Sequence, residues 1–210
     1  MTGLIDLNIL RRLYEFGLIG LFVIVTIRCL QTRGFTVTLR ELVFGFTLTQ
    51  AVEFMAVGLG RYDYPDWIIY FPPRPEWVPL GIGLAWAAGA PCIMRVSEGI
   101  LGEKAALWKL AIVDGLMAVG VDLILDPAVS GEPLRMWLWS GPQMYSYKYW
   151  FLNVPVFNFF GWVMLIGSCG YQLRYISRLE VKNETERWIK LGIFLVANLI
   201  VAFGIMQLPW

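Results

Sequence analysis

Two carboxylates, Asp122 and Asp126, stand four residues apart in Asp122-Leu-Ile-Leu-Asp126-Pro127, at the end of a long apolar run. An aspartate at mid-bilayer depth costs about 2.5–3.5 kcal/mol on insertion scales, so acids in such a run point to function. At i and i+4 on one helix their Cβ atoms lie roughly 6 Å apart, close enough to share a proton. Burial and a neighbouring carboxylate both favour the protonated form, which keeps a carboxylic acid available as a proton donor near neutral pH. The competing reading has Asp126 shaping a turn before Pro127 and Asp122 pairing with an arginine or an amide.

Glu53, in Gln50-Ala51-Val52-Glu53-Phe54, lies one to two turns before the end of another apolar run and is the second candidate acid. Asp114 precedes Asp122 by eight residues, about two helical turns, and is read either as a deeper member of the same polar stripe, touching substrate, or as a hydrogen-bonding group to another helix. Arg95 and Glu98, at i and i+3, read as a mutual structural pair. The chain holds 10 Trp, 9 Tyr and 13 Phe. Most suit a membrane-interface belt. A few, chosen from Tyr62, Tyr64, Trp67, Trp86, Trp137, Trp139, Tyr145, Tyr147, Tyr149, Trp150 and Trp162, are candidates to line a pocket in which a carbocation forms. A desolvated cation over an aromatic face gains about 2 kcal/mol or more.

The same aspartates also read as Asp-x-x-x-Asp, a magnesium and diphosphate motif of membrane prenyltransferases. Only one such motif is present where those enzymes carry two, and a Mg²⁺ cofactor follows on that alternative alone. Proton-coupled lipid transport is the non-enzymatic alternative, weakened by the lack of a visible inverted repeat.

The elements that must position these residues follow from composition. The 210 residues are 58% hydrophobic and 16% charged, with a mean hydropathy of +0.61, far from the balance of a soluble domain. The fold class is all-α, a polytopic transmembrane helical bundle forming a single domain over residues 1–210. Six spans, near 13–31, 39–60, 77–98, 105–125, 153–175 and 187–208, are each long enough to cross about 30 Å of hydrocarbon. The proline-rich loop Pro72-Pro73-Arg74-Pro75 precedes the third span. Residues 126–152, rich in aromatic residues, proline and glycine, form the longest loop, between spans four and five, and suit a lid.

Net charge is +1, which leaves no basic field for nucleic acid; the expected surroundings are the lipid bilayer of a prokaryotic cell membrane. Cys29, Cys92 and Cys169 are scattered singly and read as small core residues. With no histidine in the chain, histidine-box iron enzymes, haem proteins and most catalytic zinc sites are not expected, and no metal site is assigned. The amino terminus lacks a small-residue cleavage pattern, so the first span is expected to stay as a helix. Arg33, Arg40, Lys104, Arg174, Arg178, Lys182, Arg187 and Lys190 fall on one side. Arg11, Arg12, Arg61, Arg74, Arg135 and Lys148 fall on the other. The first side is therefore expected to be cytoplasmic and both termini non-cytoplasmic. Glu53, Asp122, Asp126 and Asn158 then share one half of the membrane. Asn183-Glu184-Thr185, formally a glycosylation sequon, falls on the cytoplasmic side and reads as chance.

The ordered pattern Glu53, Gly60-Arg61-Tyr62-Asp63-Tyr64, Val78-Pro79-Leu80 with Trp86, Asp122 to Pro127, Trp137-Leu138-Trp139 and Pro155 to Trp162 resembles a membrane carotenoid-biosynthesis family. That family includes bisanhydrobacterioruberin hydratase and the carotenoid 1,2-hydratases of cyanobacteria and deinococci. The resemblance covers roughly residues 40–175. It implies addition of water across a terminal isoprene double bond of a hydrophobic isoprenoid, without a redox cofactor. On that basis Asp122 and Asp126 are the expected proton-donating pair and Glu53 the partner acid or water activator, with Asn158 and Tyr62 orienting a proton or water. Tyr62, Tyr64, Trp86, Asp114, Trp137, Trp139 and Trp162 are the expected substrate contacts. The chain departs from the family in its shorter length and in Val57-Gly58-Leu59-Gly60-Arg61, which points toward a smaller isoprenoid. An acid-plus-aromatic pocket of this kind equally suits a protonation-initiated terpene cyclase, and nothing in the residues assigns an oligomeric state.

Overall fold

A computed structural model describes residues 6–71, 78–139, 149–179 and 183–207. The 72–75 proline loop, Tyr145, Tyr147, Lys148 and Lys182 lie outside the described residues. Six helices run in order: α1 (Leu7–Arg33), α2 (Phe35–Gly58), α3 (Leu80–Leu101), α4 (Leu107–Ser130), α5 (Val156–Arg178) and α6 (Glu184–Met206). They correspond to the six expected spans. Helices α1, α3, α5 and α6 are long and apolar enough to cross a membrane. The other two carry more than one acid within their length, Glu41 and Glu53 in α2 and Asp114, Asp122 and Asp126 in α4.

Local chemistry sets the ends. The Asp6 carboxylate accepts from the Asn8 backbone N–H at 2.9 Å and caps α1, and the Asn183 side chain caps α6 by accepting from Glu186 N–H at 2.9 Å, both ordinary N-cap bonds. A single residue, Gly34, turns α1 into α2 at φ 77°, a left-handed conformation that glycine adopts without steric cost. Pro127 does not end α4, which runs three residues further to Ser130. The expected boundary near 125 is thus corrected: proline lacks the N–H that would bond one turn back, yet the last turn continues and keeps Asp126 helical. Trp150–Phe151 and Val154–Pro155 pair as a short antiparallel ribbon leading into α5.

The core joins Phe44 and Leu48 of α2, Met94 of α3, Ala118 of α4, Ile166 and Leu173 of α5 and Leu191 of α6. Helices α1 and α6 turn most of their apolar side chains outward, Ile24 and Ile200 each being 67% exposed, as lipid-facing helices do. The closest approach is between α4 and α5. A Cβ on Gly115 would lie 2.6 Å from the Val163 carbonyl oxygen, and one on Gly167 would lie 2.8 Å from that of Ala111. Small residues at such crossings let backbones touch, and here they carry the start of α5 against the second half of α4.

At the end of the bundle formed by the C-termini of α1 and α3 and the N-termini of α2 and α4, charged side chains tie all six helices together. Arg33 of α1 pairs with Glu41 of α2 at 2.5 Å and Glu98 of α3 at 3.3 Å. Arg95 pairs with Glu41 at 3.2 Å and with Glu98 at 2.8 Å; the expected structural pair is part of this larger network. Arg174 of α5 reaches Glu98 at 2.8 Å, donates to Ser97 and the Met94 carbonyl, and forms an ion pair with Asp114 of α4. Arg40 of α2 pairs with Glu184 of α6 at 2.8 Å.

Removing one partner of a buried, hydrogen-bonded ion pair costs about 3–5 kcal/mol because the other charge is left uncompensated. Arg174→Met is therefore expected to lower the thermal unfolding midpoint of the detergent-solubilised protein sharply. Arg95→Met, at a position 34% exposed, is expected to have a much smaller effect in the same melt.

Candidate active site

At the opposite end of the bundle the acids have a different surrounding. The buried positions of α4 include Leu110, Asp114, Ala118, Asp122 and Asp126, a strict four-residue spacing that places all three aspartates on one stripe of the helix. Asp122 and Asp126 point toward the first turn of α5. There the Asn158 Nδ2 donates to Asp122 Oδ2 at 2.8 Å and to Asp126 Oδ2 at 2.7 Å. Trp137 Nε1 donates to Asp126 Oδ1 at 2.6 Å. The competing reading holds for Asp122, which does pair with an amide, but not for Asp126, which sits within the helix beside it and not in a turn.

Glu53 reaches the same region from α2. The Tyr62 and Tyr64 hydroxyls both donate to its Oε2, at 2.5 and 2.7 Å. Glu53 Oε1 and Asp122 Oδ1 receive no hydrogen bond from the described residues. No described lysine or arginine forms an ion pair with Glu53, Asp122 or Asp126. All of their described side-chain donors are neutral.

Two loops close over these groups. Asp63 and Leu138 exchange backbone hydrogen bonds at 2.9 Å, linking the segment after α2 to the segment after α4. Trp67 Nε1 donates to the Met136 carbonyl at 2.7 Å. Buried Glu15 of α1 holds the cover down by accepting from Ile68 N–H at 3.1 Å and Ile69 N–H at 2.7 Å. Part of the expected 126–152 lid is thus a cover shared with residues 60–71.

Under the cover lies a cavity of about 240 Å³ between α1, α3 and α4. Glu53, Tyr62, Tyr64, Trp86, Asp122, Asp126, Trp137, Trp139, Asn158 and Trp162 all line it, so ten of the eleven residues singled out in the sequence meet at one place. Trp86 and Trp162 stack with centroids 3.7 Å apart. Tyr62 meets Trp139 edge-on at 5.0 Å. Its rim carries Leu21, Val121 and Leu125, each 40–46% exposed, on the apolar outer face of α1 and α4. The cavity therefore opens sideways, toward lipid.

Asp114 is the exception. It lies two turns away along the stripe, roughly 12 Å at 1.5 Å per residue, fully buried and bound to Arg174 and to Ser97 Oγ at 2.5 Å. The expectation that it contacts the same ligand is corrected in favour of the hydrogen-bonding reading, because a guanidinium from α5 occupies its carboxylate.

Two lining residues were not anticipated. Tyr14 faces the cavity from α1, and a tyrosine near the start of a span is indistinguishable in sequence from an interface anchor. Asn198 is the sole polar side chain in residues 191–206 of α6, a signal that was legible. It lines a second cavity of about 190 Å³ between α2, α5 and α6. Its Nδ2 donates to Gln172 Oε1 at 2.7 Å.

Burial, and next the adjacent Glu53 carboxylate, hold the Tyr62 and Tyr64 phenols well above the ordinary tyrosine range. Both remain donors at any pH the protein meets. A titration of tyrosinate absorbance, comparing the protein with the double variant Tyr62→Phe/Tyr64→Phe, is expected to show no ionisation of these two phenols in the ordinary range. Glu53→Gln removes the negative charge and is expected to move both phenols down, while burial keeps them above an exposed tyrosine.

A carotenoid biosynthesis protein family model matches residues 15–209, nearly the whole chain. The chain belongs to this family, and with four helices long and apolar enough to cross a membrane it is a membrane protein with a role in carotenoid biosynthesis. No curated protein and no solved structure matches it.

Proposed function

We propose that this member of the carotenoid biosynthesis family is an isoprenoid hydratase that protonates a terminal alkene and captures the resulting cation with water. The observation that carries the reading is the Asp122–Asn158–Asp126 bridge in the wall of an aromatic cavity open to lipid. Two carboxylates that share one amide donor, with no ion-pair partner among the described residues, are most cheaply neutralised by protonating one of them. That proton faces an apolar space suited to an isoprenoid end.

Each step has a residue. A carboxylic acid of the Asp122/Asp126 pair gives its proton to the less substituted carbon of the double bond, and a tertiary carbocation forms at the other. Asp122 Oδ1, which receives no donor from the described residues, is the oxygen assigned to face the alkene, while Asn158 and Trp137 hold the rest of the pair in place. The Trp86, Trp162, Tyr62 and Trp139 rings line the cavity, and an aromatic face turned toward the developing charge stabilises it. Water adds to the cation, its surplus proton leaves, and the product is a tertiary alcohol. This reading assigns no role to a metal, and the Asn158 amide between the two carboxylates donates to both.

The cavity is smaller than the roughly 300–1,000 Å³ of a site that engulfs a drug-sized ligand. It suits the end of a linear isoprenoid whose remainder lies along the lipid-facing groove.

The test is to produce the protein in membranes of a host that makes linear isoprenoids of several lengths and to identify products by mass spectrometry. A gain of one water is expected. Asp122→Asn, Asp126→Asn and Glu53→Gln are each expected to lower turnover by about 10²–10⁴-fold, the range of general acid–base catalysis, with the protein still folded in detergent. Full activity in all three would overturn the acid mechanism. An isomer of unchanged mass would mean that an internal double bond, not water, captures the cation and that the protein is a cyclase.

A further inference from the structure

The second cavity shares four wall residues with the first: Glu53, Tyr62, Asn158 and Trp162. Asp122 and Asp126 line the first cavity alone. The two spaces therefore meet at Glu53, with the aspartate pair on one side only. A reaction that joins an alkene to water needs two reactants that do not mix, and an apolar chain filling the first cavity leaves no path for water through it.

We infer that the cavity between α2, α5 and α6 is the water compartment of the reaction, and that Glu53, at its boundary with the alkene cavity, is the base that takes the proton from the attacking water. The inference rests on the hydratase reading above. At about 190 Å³ the compartment has room for several waters, each occupying about 30 Å³ in the liquid. A buried water needs two to four polar partners. The wall is apolar along α5 and α6, where Met164 and Val201 are about half exposed, and its polar groups are Glu53, Tyr62 and Asn158 at the junction, Ser168 and Asn198 deeper in the bundle, and Arg61 in the loop beyond the end of α2. Asn198 Oδ1 and Glu53 Oε1 are acceptors that no described donor occupies.

Glu53 is built to act as the base. Two phenols donate to one of its oxygens, and its other oxygen, which receives no hydrogen bond from the described residues, is left to accept from water. The atoms balance. The aspartate pair loses one proton to carbon, a C–O bond forms from the water oxygen, and Glu53 takes the proton that the oxonium releases. Return of a proton to the aspartates and its loss from Glu53 close the cycle, so the net change is alkene plus water to tertiary alcohol.

The experiment uses the full chain in detergent or liposomes in D₂O, with squalene or lycopene as the alkene, whichever the product screen shows to be converted. Two quantities are read: the alcohol formed, and deuterium on carbon in the recovered alkene, which reports protonation followed by loss of the proton. Ala202→Phe and Asn198→Leu, which fill or dry the second cavity, are expected to lower alcohol formation at least tenfold while deuterium exchange into alkene persists or rises. Asn198→Ser, which keeps a polar group, is expected to retain more hydration than Asn198→Leu. A parallel fall of alcohol and exchange in these variants, or hydration untouched by both fillers, would overturn the water compartment while leaving acid catalysis standing. Absence of both signals from the unaltered protein would overturn the hydratase reading and this inference with it.

Discussion

A carboxylate inside an apolar bundle has to be neutralised, and the two ends of this protein do it differently. At one end Asp114, Glu98 and Glu41 meet Arg174, Arg95 and Arg33, charge against charge. At the other end Glu53, Asp122 and Asp126 meet a tryptophan, an asparagine and two tyrosines, donors that carry no charge. The first arrangement holds helices together. The second leaves the electrostatics to be completed by protons, which makes it chemically useful.

The rest of the architecture serves that contrast. The close glycine-mediated crossing of α4 and α5 brings Asn158 onto the aspartate pair. The loops after α2 and α4 bond to each other above it, and Glu15 fastens them to α1. The arginine network at the far end keeps the helices in register so that acids from α2 and α4 share one space. A single residue, Asp114, belongs to the same helix stripe as the site but is claimed by the network. What separates a structural from a chemically available aspartate here is the identity of its neighbour across the helix interface.

Much of this was legible in the sequence. Six apolar stretches broken by glycine, proline and charge predicted the helices. The four-residue spacing of Asp122 and Asp126 predicted a shared face, and the resemblance of the tryptophan and asparagine motifs to a carotenoid-biosynthesis family marked the residues that surround them. What spacing along one helix does not encode is which distant side chain will arrive. Arg174 stands sixty residues from Asp114, and nothing local announces their pairing. Pro127 suggested a helix end, but the turn after it continued. Tyr14 was hidden among interface aromatics. Asn198, a lone amide in an apolar helix, stands out in the sequence, but its spacing along α6 does not encode which cavity it lines.

The central claim is that the aspartate pair holds a proton in the resting protein. Infrared spectroscopy of the protein in membranes at neutral pH reads this directly through the C=O stretch of a protonated carboxyl, which shifts in D₂O. The account predicts such a band, and its loss in the double variant Asp122→Asn/Asp126→Asn. A spectrum with only ionised carboxylates, or a band unchanged in that variant, would contradict it.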